Sequence, residues 1–365
     1  MNKYISLLIV FLTIFSSCSK IYDPKTDAGQ NAIVVEGLIT DLPGPCTVKL
    51  SMALPYSVNN DKYPPISDAK VTILDNSGNT FNLSESLTTP GAYVSDSSVF
   101  IGQAGKSYTL HIETTDGNIF ESSPQQILPA NFVDTTYADY ASKKVLNPDY
   151  GYNDTYIQQG VNLLVDIKNS FDPLPRFRFQ ATVTTEYAYI ISMVLTTTSF
   201  YYWTSTDPNN LVNITEDPYQ TSSKDIQGHI LCFIPTISTI AVDIKNEIVK
   251  ASVFNRVISL KRYRLNQETF HFYSNINSLL SAQGKIFDPV AFQLKGNITC
   301  KNNPTKTAFG YFEASSLTTS FYSIKPGKID VNKISGFNPP SYSGSITIFN
   351  GVESPYIPLP DFLIY

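Results

Sequence analysis

The residue best placed for covalent chemistry is Cys18. It closes Phe15-Ser16-Ser17-Cys18, which ends an apolar run from Tyr4 to Phe15 behind the single positive charge of Lys3. A basic start, an apolar stretch and a small-residue cleavage site make an export signal. A cysteine just after the cut offers its thiol for acylation, so the pattern predicts removal of residues 1–17 and lipid on Cys18. The run is too short to span a bilayer, which takes roughly 20 apolar residues. Several acyl chains on one cysteine give stable attachment instead. Ser19, rather than an aspartate, follows the cysteine. That predicts a lipid-anchored chain at the outer membrane. The expected face is the cell surface, although only Asp23 and Asp27 stand for the acid-rich tag of surface lipoproteins, and the periplasmic face is the alternative.

The second candidate is a recognition surface. Phe200-Tyr201-Tyr202-Trp203 holds the only tryptophan and precedes a polar stretch, Thr204–Gly228, with Pro208 and Pro218. Successive side chains on a strand point to opposite sides, so four aromatics in a row cannot all enter one core. Some must meet another element, a glycan or peptide ligand, or a partner such as the rim of a β-barrel. A core corner shielded by its own loop is the plainer reading.

Catalytic chemistry finds little footing. His111, His229 and His271 are far apart, with no metal-ligand spacing, and no HExxH, GxSxG, P-loop or dinucleotide fingerprint occurs. No cofactor or metal is expected. Asp166, Asp172, Asp225 and Asp288 would have to converge in space to make a glycosidase pair. Asp288 precedes Pro289, where a turn role suffices. After lipidation Cys46, Cys232 and Cys300 remain. In an exported chain two of them could pair, with three possible choices. Cys232, within an apolar segment, reads as a buried thiol.

Residues 19–140 carry 6 basic and 14 acidic residues, whereas 141–265 and 266–365 are each one charge positive. An acidic front argues against nucleic acid as a partner. With 23 Tyr and 22 Phe in 365 residues, and frequent Thr, Val and Ile, the chain is predicted to be mostly β.

Residues 18–30 read as a tether. Short strands separated by Gly, Pro and Asn then predict a β-sandwich over 31–128, transthyretin- or immunoglobulin-like, with Asp75-Asn76-Ser77-Gly78 as a hairpin turn. Residues 129–365 are predicted to form a larger β-rich domain. Asn131–Gly160 shows weak periodicity, and Tyr187–Leu195 reads as a strand buried on both faces. Arg256, Lys261, Arg262 and Arg264 mark Ala251–Tyr263 as an exposed or edge strand managed by charge. Helical spacing of Phe270, Tyr273, Ile276, Leu279 and Leu280, after Asn266 as N-cap, predicts one amphipathic helix over 267–283.

Val35-Glu36-Gly37-Leu38-Ile39-Thr40 and Ala69-Lys70-Val71-Thr72-Ile73 resemble transthyretin-like modules of the carboxypeptidase-regulatory type. The later series Gly284-x-x-Phe287-Asp288-Pro289, Gly296-Asn297-Ile298 and Gly310-Tyr311-Phe312-x-Ala314-Ser315-Ser316 resembles a Bacteroidetes outer-membrane lipoprotein family, catalogued as domain of unknown function 4249. That resemblance covers most of residues 18–325. It implies association with TonB-dependent outer-membrane receptors and a surface accessory or ligand-binding role. A surface hydrolase of glycans or peptides, and a structural adhesin-like spacer, are the alternatives.

Overall fold

A computed structural model describes residues 32–53, 63–96, 100–130, 133–146, 155–168, 175–193, 196–207, 212–217, 225–235, 239–244, 247–282, 294 and 296–324. The side chains of residues 187–205 lie outside that description. So do Cys18 and the tether.

The first strands follow period-two patterning. They are β1 (Ile33–Thr40), β2 (Thr47–Met52), β3 (Lys70–Asp75), β4 (Thr80–Glu85), β5 (Ala92–Ser95), β6 (Ser107–Glu113), β7 (Ile119–Ser122) and the short β8 (Gln125–Gln126). In β6 alternate residues Tyr108, Leu110 and Ile112 turn inward, onto Val48, Leu50, Ile73 and Phe120. The β3–β4 hairpin turns as expected, with Gly78 at φ 86°. The Asp75 carboxylate accepts the backbone N–H groups of Ser77 and Asn79, both at 2.9 Å. Those bonds, with the Asn79 side chain foremost, hold its pKa well below the usual carboxylate range.

The later strands are longer: β9 (Val133–Leu146), β10 (Thr155–Lys168), β11 (Arg176–Met193), β12 (Thr196–Thr206), β13 (Asn213–Ile214), β14 (Ile226–Pro235), β15 (Thr239–Ile244) and β16 (Glu247–Leu265). After them come helix α1 (Gln267–Ala282), β17 (Ile298–Cys300) and β18 (Ala308–Ile324). The described chain is thus mostly β. Strands β14, β10 and β9 form a small sheet, and the rest join one large sheet in the order β12-β11-β16-β18-β1-β2-β5-β4-β3-β6-β7-β17, with β8, β13 and β15 alongside.

β18 ties the first strand to the long later ones. Its residues 308–315 run parallel to β1, and 316–324 run antiparallel to β16. The large sheet curls until β17, at its far end, comes back against β18. A second core forms where the small sheet lies on β11 and β16: Val161, Leu163, Val165 and Ile167 meet Phe177, Phe179, Ala181 and Leu260.

Three expectations change. The weakly periodic stretch after Asn131 contains β9, an edge strand whose described side chains are exposed or half-buried apart from Ala138; a polar edge leaves little period-two signal. Strand β16 is not an edge, because β11, β15 and β18 all pair with it. Arg256, Arg262 and Arg264 on it are buried, and only Lys261 keeps the exposure its charge suggested. Arg262 is matched from the opposing sheet, 3.0 Å from Asp134 and donating to Thr136, and it also donates to Tyr322 on the neighbouring β18. Within the expected loop Thr204–Gly228, β13 forms and pairs with β11.

Candidate functional site

The aromatic run Phe200–Trp203 falls on β12, the terminal strand of the large sheet. Its backbone pairs with β11, with Phe200 opposite Tyr189 and Trp203 opposite Glu186. Among the described residues β12 has no second neighbour, so one backbone edge carries no strand partner. Whether these rings form a platform lies outside the described side chains, as does Cys18 itself.

The histidines stay apart. His111 lies on β6 between Glu121, 3.1 Å from Nδ1, and Glu113, 3.2 Å from Nε2, with Lys70 and Lys301 completing a surface charge lattice. His229, on β14, packs on the Phe179 ring and sits 2.6 Å from Asn213 Oδ1. Both amide hydrogens of Asn213 go to the carbonyls of Ile230 and Leu231, so the His229 Nε2–H donates. Burial lowers its pKa to about 4 and keeps the ring neutral. His271 is exposed on α1 beside Gln267.

The candidate acids do not assemble either. Asp166 accepts the Tyr137 hydroxyl and the Gly228 N–H, at 3.2 and 2.7 Å. Asp225 stands exposed just before β14. Asp172 and Asp288 lie outside the described residues. No group of three or more metal-ligating side chains occurs among the described residues. Cys46, Cys232 and Cys300 are free thiols. Burial pushes the thiol pKa values of Cys46 and Cys232 up to about 12.

The structure brings together a different set, which patterning did not reveal. Alternation on β11 that sends Phe177 and Phe179 into the second core sends Arg178 to the opposite face, beneath α1. There Arg178 Nη2 reaches both oxygens of Glu313, at 3.0 and 3.1 Å. Glu313 is 2% exposed and also accepts Tyr273 Oη at 2.6 Å and Ser315 Oγ at 2.8 Å. The guanidinium lies 3.8 Å from the centre of the Tyr263 ring and 5.0 Å from that of Tyr273. Burial first, and the Glu313 charge second, raise the pKa of the Tyr273 phenol. For Arg178 burial opposes the charge, and Glu313 with the two tyrosines more than offsets it.

This centre is closed chemically. The Glu313 carboxylate is taken up by donors from β11, α1 and β18, so it has no position free to act as a base. Its effect is mechanical: one buried anion fixes a helix to two strands. Further bonds extend the clasp. Asn266 caps α1, its Oδ1 accepting Thr269 N–H at 2.8 Å, while its amide donates to Gln125. The Thr269 and Tyr311 hydroxyls meet at the Gln125 Oε1, and Glu268 accepts from Gln125 and Ser123. At the other end Asn277 bonds both the N–H and C=O of Val212.

Of the other signature positions, Gly284, Phe287 and Pro289 lie outside the described residues, and Gly296, Asn297 and Gly310 have equally local reasons. Gly310 holds φ 87° with its backbone against the Val35 carbonyl, and a Cβ there would overlap that oxygen. Gly296 in turn lies against the Gly310 carbonyl. Asn297 completes the join, its amide bonding Phe312 N and O.

Fold and centre together define a mostly β protein in which one helix clasps the strand shared by its N- and C-terminal portions. The family described as Domain of unknown function (DUF4249) matches residues 19–320, and the chain belongs to it. No curated protein matches the chain.

Proposed function

We propose that the chain is a lipid-anchored, non-catalytic accessory or ligand-binding subunit at the outer membrane, serving a TonB-dependent receptor-type transporter. The observation that carries this reading is the position of the aromatic run. Phe200–Trp203 lies on the terminal strand of the large sheet, with one backbone edge open among the described residues. An open strand offers main-chain hydrogen bonds, and tyrosine and tryptophan offer large, stiff contact area. A glycan or peptide ligand, or a barrel loop, suits such an edge.

Support from the first residues is independent: the Cys18 signal would hold the body beside any partner in the same membrane. The N-terminal module then acts as a spacer or recognition unit. Non-catalytic action fits the closed Arg178–Glu313 centre and the scattered histidines.

The test is purification of the chain from its own locus in mild detergent, with mass spectrometry of what accompanies it. A β-barrel receptor in near-equal amount supports the proposal. A lipidated chain that purifies alone contradicts the accessory role while leaving the anchor intact.

A further inference from the structure

The β9–β10 hairpin extends past the body. These two strands pair from Val133–Lys168 out to Leu146–Thr155, whereas β14 accompanies β10 only between Gly160 and Ile167. Residues 142–146 and 155–159 are therefore a two-stranded arm with no third strand among the described residues. Isolated two-stranded ribbons are marginal in water. This one nonetheless exposes Leu146 by 59%, Ile157 by 58% and Tyr156 by 44%, with Tyr140 at its base exposed by 64%.

Register distributes these side chains over both faces. Tyr140 pairs with Val161, an inward residue of the second core, so Tyr140, Lys144, Leu146 and Ile157 continue the inner face. Lys143, Val145 and Tyr156 share the other face. A protein groove would cover one face and leave the other wet. A fluid interface surrounds both. Tyrosine and aliphatic groups with lysines at the same level are the chemistry of the membrane–water boundary. Residues 142–146 and 155–159 contain Lys143 and Lys144 and no acid.

We propose that the arm is a second membrane contact, seating these apolar side chains in the headgroup region of an anionic phospholipid bilayer with Lys143 and Lys144 at the phosphates. The proposal rests on the lipid-anchor reading for its geometry. A tether of residues 18–30 reaches at most about 45 Å, so the body stays within range of the leaflet that holds it. Asp149 and Asp154 in the intervening 147–154, outside the described residues, offset the lysines. Apolar seating therefore dominates and the salt dependence is shallow.

The test uses the mature chain with Cys18→Ser, so that no acyl group contributes. It is co-sedimented with vesicles of phosphatidylethanolamine and phosphatidylglycerol, and with vesicles of phosphatidylcholine alone. Tighter binding to the anionic vesicles is expected. Leu146→Ser with Ile157→Ser should weaken it by about tenfold or more, and each of Lys143→Gln and Lys144→Gln by up to about fivefold. Unchanged thermal unfolding of the variants assigns the loss to the arm. No binding to anionic vesicles, binding that every variant retains, or self-association through the arm in its place would overturn the proposal. Labelled-palmitate incorporation into the wild-type chain in cells reports the anchor separately, so the two readings fail independently.

Discussion

Asn297 and Phe312 hold each other through both ends of one side-chain amide. The Asn297 Nδ2 donates to the Phe312 carbonyl at 2.9 Å, and its Oδ1 accepts the Phe312 N–H at 2.9 Å. The amide supplies β18 with the two bonds a neighbouring strand would give, just where β17 returns to it. Both groups are buried, so losing the amide leaves backbone polar groups without partners. Asn297→Ala is expected to cost about 2–4 kcal/mol, read as a lower urea midpoint with unchanged slope. Asn297→Asp keeps the acceptor, loses the donor, and should fall below wild type as well.

The Arg178–Glu313 pair gives a second prediction. Removing one partner from a buried ion pair strands the other charge, at about 3–5 kcal/mol. Glu313→Gln and Arg178→Met should each approach that loss. Their double variant should lose clearly less than the sum, because no uncompensated charge remains. Additive losses in the cycle would show that the two do not act as a unit.

His229 sets a pH dependence. Its folded pKa, about 4, lies below the ordinary histidine value of 6.5, because burial disfavours the charged ring. The unfolded chain therefore binds a proton first as the pH drops. Stability from the neutral ring is complete above pH 6.5 and is lost as pH falls toward 4, by at most about 1.4 kcal/mol per unit. His229→Gln should flatten that part of the stability–pH curve. An equally steep curve in the variant would assign the dependence to other groups.

Thiol reactivity should follow burial. Cys46 donates to the Leu38 carbonyl at 3.2 Å inside the first core, and Cys232 is 1% exposed in the second. With both pKa values raised to about 12, their thiolate fractions at neutral pH are small. In the native chain Cys300, which is only partly buried, should be modified by a maleimide first. Cys46 and Cys232 should follow at the rate of unfolding. Rapid labelling of either would contradict the packing.

Much of the fold was legible where neighbours in sequence are neighbours in space. Tyr108, Leu110 and Ile112 alternate because one sheet face is buried, and Asn266 announces α1 because a cap bonds three residues ahead. The chain was least legible where partners are remote. Arg178 and Glu313 are 135 residues apart, and neither pattern nor charge around one points to the other. Arg262 looked like a solvent-facing charge for the same reason, its match being Asp134 on another sheet. Strand β18 is continuous, yet it changes partner midway from β1 to β16, which no local pattern announces. The signature segments Gly296–Ile298 and Gly310–Ser316 were visible as a pattern. Their reason, close backbone approach and the Glu313 clasp, needed coordinates.

The accessory role is tested most directly at the open edge of β12. A photo-reactive amino acid replacing Tyr202 in the chain expressed from its own locus, irradiated in intact cells, reports what lies within a few ångströms. The account predicts a covalent adduct with an outer-membrane β-barrel. A control at Lys49, an exposed residue of β2 far along the sheet, should yield none. A lipidated, membrane-located chain that cross-links to no barrel from Tyr202, or equally well from both positions, would contradict it.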